Sequence, residues 1–150
     1  MIKIDKNGVW FYNGNEMFRM DIVKLFYEHL KRKESGEYFI ELGDDRSVIE
    51  VDDVPYVVKA VYKMDTYMEI VLNDATSEWL DPSSLRVGRE NVLYCSVRDG
   101  TFDARFSRAA YYQIAEFIEY EKDRDAFYVP LNDSTYYING CVEEQKLGGV

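Results

Sequence analysis

The chain has little of what most often announces a function. It holds two cysteines, one histidine and three prolines in 150 residues. Cys95 and Cys141 stand alone, so they supply neither a disulfide framework nor the paired spacing of a zinc site, and the expected compartment is the reducing cytoplasm. The lone His29 has no serine or cysteine nucleophile near it in sequence and reads as a packed or half-exposed ring, not a catalyst. Phosphate loops, the G-x-S-x-G elbow and zinc-protease spacings are all missing; Gly148-Gly149 is followed by no helix. Long apolar runs are missing too, and MIKIDKNG lacks the basic-then-apolar order of a signal peptide. The expectation is a soluble protein without a membrane partner, ending in a polar tail, EEQKLGGV, that frays.

What is present is acid and aromatic. Against 18 Lys and Arg stand 28 Asp and Glu, a formal net charge of −10, with no block of like charge. That balance repels a phosphate backbone and argues against long nucleic acid, while a single small nucleotide remains compatible. Thirteen Tyr, eight Phe and two Trp mark a globular chain, and at this length roughly 70% of the unfolded surface can be buried.

A shift of 89 aligns two parts of the chain without a gap. It carries Arg19 to Arg108, Tyr38-Phe39-Ile40 to Phe127-Tyr128-Val129, Leu42 to Leu131, Asp44 to Asp133 and Ile49 to Ile138. Each copy reads as helix, polar link, strand, turn and strand, the signature of a repeated unit. The expected organisation is a first repeat over 1–55, a connecting antiparallel meander over 56–98, and a second repeat with its tail over 99–150. Asn7-Gly8 and Asn13-Gly14 predict hairpin turns. Asp21 precedes a helix with Ile22, Leu25, Phe26, His29 and Leu30 on one face, and a second helix is expected over roughly 107–121. Pro130 implies an edge strand. The fold class is α+β, two helix-plus-antiparallel-hairpin repeats fused into one chain, with too few helices for a doubly wound sheet.

Several motifs occur in the order of a known family. They are Gly8-Val9-Trp10, Gly14, Arg19, Ile22-Val23-Lys24-Leu25-Phe26, Gly36-Glu37-Tyr38 and Val51-Asp52-Asp53-Val54-Pro55-Tyr56, then Val97-Arg98-Asp99-Gly100, Arg108 and Tyr111-Tyr112. On these the chain resembles the bacterial domain of unknown function family numbered 1285. The resemblance implies a duplicated α+β core, a later half similar to pleckstrin-homology folds, and a role in signalling. After Tyr38 the segment ELGDDR replaces a Thr-Pro-containing stretch, so no ligand contact from that turn is carried over.

The candidate ligand-binding residues are Arg19, Arg108, Asp53, Trp10 and Arg98. An arginine at a helix start opposes the dipole and needs a carboxylate or an anionic ligand beside it. The expected structural partners are Asp52, Asp53 or another acid across the seam between repeats; the expected ligand at that seam is a small anion or a nucleotide. Glu50, Asp52 and Asp53 form an acidic knot, whose alternative reading is a metal-assisted hydrolase or transferase. A protein-interaction domain or homo-oligomer is the third reading, from the guarded edge near Pro130. No catalytic residue and no cofactor is assigned.

Overall fold

Asp5 builds the first turn of the chain. Its carboxylate accepts the backbone N–H groups of Asn7 and Val9, both at 2.9 Å, and Gly8 takes a left-handed conformation (φ 80°) that a side chain would resist. In this computed structural model, which describes residues 1–140, that turn joins β1 (Ile2–Ile4) to β2 (Trp10–Tyr12). Asn13 and Gly14, both at positive φ, then turn β2 into β3 (Asn15–Glu16). Cys141 and the tail EEQKLGGV, with Gly148-Gly149, lie outside the described residues.

After α1 (Met20–Glu28) come β4 (Leu30–Arg32), β5 (Tyr38–Leu42) and β6 (Asp45–Val51). The six strands form one sheet in the order β3-β2-β1-β6-β5-β4, antiparallel except for the parallel pair β1 and β6. The helix differs from its expected form. It starts at Met20 with Arg19 as N-cap, and it buries Val23 and Tyr27, while Leu25 is exposed. The reason is that Leu30 is spent on β4, opposite Ile40, and the Tyr27 hydroxyl donates to the Pro55 carbonyl at 2.6 Å. Tyr27 also meets Trp10 edge-on at 4.9 Å, and Ile4, Phe39, Ile40 and Ile49 complete this core. The unit spans Met1–Pro55.

From Tyr56 onward the chain forms a second unit. Its strands are β7 (Tyr56–Lys63), β8 (Met68–Leu72), β9 (Ser77–Trp79), β10 (Arg86–Val87), β11 (Leu93–Val97) and β12 (Phe102–Phe106). Then follow α2 (Arg108–Ala115), β13 (Glu119–Glu121), β14 (Ala126–Leu131), β15 (Ser134–Tyr137) and β16 (Asn139–Gly140). A seven-stranded sheet runs β16-β10-β11-β12-β7-β8-β9, and a three-stranded sheet runs β13-β14-β15. Leu93, Cys95 and Val97 on β11 and Phe102, Ala104 and Phe106 on β12 all point inward, the period of two that a half-buried strand requires. The fold is α+β and rich in sheet.

Two expectations change here. α2 ends at Ala115, well short of Glu121, because Glu119–Glu121 pairs with Ala126–Tyr128 as a strand. Pro130 lies in the central strand of its sheet, not in an edge strand. The Phe127 carbonyl accepts the Ile138 N–H, so odd positions of β14 bond β15 and the Pro130 nitrogen faces β13, whose pairing stops at Tyr128. Locally that side is an edge, and no ladder bond is lost.

The 89-residue shift holds for the hairpins and fails for the helices. Phe39↔Val48 and Leu42↔Asp45 in the first unit correspond to Tyr128↔Tyr137 and Leu131↔Ser134 in the second. The buried helical pairs, Val23 with Tyr27 and Ala110 with Ile114, correspond at a shift of 87. Two residues turn an α-helix by about 200°. Arg19 and Arg108 are therefore not equivalent: the first is a cap, the second is already inside its helix.

Candidate ligand site

The start of α2 is held by Ser107, whose hydroxyl oxygen accepts the Ala110 N–H at 3.2 Å. Ala110 and Ile114 anchor the inner face, which leaves Arg108, Tyr111 and Tyr112 outward. Across from them the chain between β10 and β11 makes a single tight turn at Arg89–Asn91, closed by the Val92 N–H on the Arg89 carbonyl at 3.2 Å. Glu90 (φ 60°) and Asn91 (φ 61°) both sit in the left-handed region, which a tight turn of this kind requires.

Between this turn and α2 lies a cleft of about 340 Å³. Buried Leu93 and Phe106 are among its lining, with Val92, Asn91 and Arg105 beside them and Arg108, Tyr111 and Tyr112 on the helix side. The tyrosine rings are 5.9 Å apart at 57° and 40% and 61% exposed, so they form an angled wall and are not core. Arg108 has no hydrogen-bonded or ionic partner among the described residues. Two residues further on stands Ala110, where an acid would have neutralised it.

The other candidate residues lie elsewhere. Arg19 makes a two-pronged pair with Asp21, Nη2 at 2.7 Å and Nε at 3.0 Å, on an open surface. The guanidinium hydrogen bond holds the Asp21 carboxyl below its ordinary range. The expected partners Asp52 and Asp53 are not the ones Arg19 uses; Asp52 meets Lys3 at 3.4 Å. Asp53 is half-buried in the bend that leads to Pro55. Trp10 is 2% exposed, packed against Phe26 and Tyr27, and its buried indole N–H has no hydrogen-bond partner among the described residues. Its ring belongs to the core of the first unit. Glu50 points to solvent, and among the described residues no three His, Cys, Asp or Glu converge as a metal site would need.

Arg98 is a clamp. Its Nη2 donates to Asp74 at 2.7 Å and to Thr76 Oγ1 at 2.9 Å, and its guanidinium lies 5.4 Å from the Tyr56 ring centroid. Its backbone N–H, at φ 54°, donates to the Glu78 carboxylate at 3.2–3.3 Å. Asp74 is 2% exposed and also accepts the Thr76 N–H and hydroxyl, so every charge in the group is answered. Burial pushes the Glu78 carboxyl above its ordinary value, against the pull of the Arg98 N–H and charge. The group ties the turn after β11 to the turn after β8. Sequence reasoning named Arg98 but missed Asp74, whose spacing carries no motif. It also missed Asn91 and Arg105, the latter set opposite Tyr94 only by the pairing of β12 with β11.

The comparisons with known proteins agree with this architecture. Residues 1–54 match the N-terminal domain of a domain of unknown function family, DUF1285. Over its first unit the chain is similar to the DUF1285 family. A crystal structure of a DUF1285 family protein from Silicibacter pomeroyi DSS-3 superposes with a TM-score of 0.76 at 22% identity, over 97% of this chain and 82% of that one. A second, from Shewanella baltica OS155, gives 0.66 at 19% identity, over 77% of this chain and 90% of that one. At such identities the likeness is one of fold. Comparison with curated proteins returns no match.

Proposed function

We propose that this protein is a non-catalytic binding module for a small anion or nucleotide, acting in regulation or signalling, with the ligand in the cleft beside α2. The observation that carries this reading is Arg108, a cation without a partner among the described residues, on the wall of a 340 Å³ cavity in a chain of net charge −10. A guanidinium in such a place offers a planar fork to an oxyanion. The cleft volume falls within the range of small-ligand sites, about 300–1,000 Å³. Of the two helix-start arginines, only Arg108 keeps the ligand role; Arg19 is answered by Asp21.

The same reading includes a duplicated core, supported by the shared hairpin register at a shift of 89, and a second unit of pleckstrin-homology type, supported by its sheet-rich meander with one helix. A cytoplasmic setting is supported by Cys95, a free and fully buried thiol. A protein partner is the second reading, supported by Phe18 and Met20, which stand exposed just before and at the start of α1.

Thermal unfolding with inorganic phosphate, pyrophosphate and mononucleotides tests the first reading. A ligand at 100 times its Kd stabilises by about 2.7 kcal/mol. The wild type is expected to shift with at least one of these probes, and Arg108→Ala to lose that shift while unfolding at the same temperature without ligand. No shift with any anion would end the proposal.

A further inference from the structure

We infer that the cleft beside α2 takes a mononucleotide, with phosphate on Arg108, the base against the Tyr111-Tyr112 wall, and the base edge on the Asn91 amide. This rests on the anion-binding reading above and narrows it. Three independent features of the lining match the three chemical parts of such a ligand. Arg108 is a cation without a partner among the described residues, suited to a dianion. Tyr111 and Tyr112 spend two large rings on a surface where neither is needed for packing; aromatic faces of this kind stack any nucleobase. Asn91 has no hydrogen-bonded partner for its side chain among the described residues, and it carries both donor and acceptor, the pair that reads a base edge.

Size and charge narrow the class further. A cavity of 340 Å³ sits at the small end of ligand sites, which suits one nucleotide and not a strand. The net charge of −10 likewise works against a polyanion. An inorganic anion would use Arg108 and leave the two tyrosines and Asn91 without a role. The angled rings, 57° apart, let one ring stack while the other closes the edge.

Calorimetric titration of the full chain with AMP, GMP, CMP, UMP and inorganic phosphate tests the inference. The expected result is one mononucleotide that binds at least about tenfold more tightly than phosphate. In the double variant Tyr111→Ala with Tyr112→Ala that advantage disappears, and with Phe at both positions it survives. In Arg108→Ala, phosphate and nucleotide binding both fall. If phosphate binds and no nucleotide binds more tightly, the inference is overturned and the anion-binding reading stands. If a nucleotide binds but neither the tyrosine pair nor Arg108 affects it, its site is elsewhere and the inference also fails. If nothing binds to a folded sample, both readings fall together.

Discussion

Arg98 and Arg108 lie ten positions apart in the same unit, yet their surroundings give them opposite tasks. Around Arg98 the acceptors came first: a buried Asp74, Thr76 and Glu78 from the β8–β9 hairpin absorb its charge and its backbone N–H. Around Arg108 the neighbours are tyrosines, an amide and a cavity. Arg19 is a third case, neutralised by an acid two residues away on an open surface. An arginine at a turn or a helix start thus says only that a negative charge belongs there. Whether the protein supplies that charge or a ligand does depends on what the fold brings alongside.

The comparison breaks if the clamp proves dispensable. Arg98→Ala leaves the Asp74 carboxylate buried and unpaired and is expected to cost about 3 kcal/mol, the low end for a broken buried pair because Arg98 is itself a third exposed. Denaturant unfolding measures it, and a loss within error would mean that Asp74 finds another donor. Arg108→Ala is the counterpart. It should move stability by no more than about 0.5 kcal/mol while removing the anion-induced thermal shift. A large loss of stability there would make Arg108 structural as well.

Glu78 sharpens the contrast through pH. Its carboxyl is raised on folding, so the folded state binds a proton more readily than the unfolded chain does. The associated stability is fully present below the ordinary carboxylate pKa and is lost as the pH rises through the raised value. Glu78→Gln removes that component, so unfolding midpoints measured across this window should fall less steeply with pH in the variant than in the wild type. An unchanged slope would show that the N–H groups and charge of Arg98 cancel the burial. The smallest effect belongs to Arg19→Ala, because the pair with Asp21 is open to solvent and screened by salt. Its unfolding midpoint is expected to stay within error of the wild type.

Much of the fold was legible. Asn-Gly pairs marked the first two turns, and β-type runs marked most of the strands. The helices were less so. Apolar residues such as Leu25 fit a helical period in the sequence, but neighbouring strands claimed Leu30 and Glu119–Glu121, which shortened both helices. Arg108 and Tyr111-Tyr112 were legible as a motif. Their meeting with Asn91 and Arg105 was not, because it depends on a turn that returns from the far end of β11.

The amino-acid sequence alone determined an acidic, aromatic-rich α+β chain with hairpin turns, since turn geometry, alternation and charge are local properties. Tertiary structure alone decided which arginine is answered from within. Asp74 and Arg98 are 24 residues apart and meet only because β7 carries β8 and β12 on its two sides. Ion pairing is a matter of a few ångströms in space, and separation along the chain does not encode it.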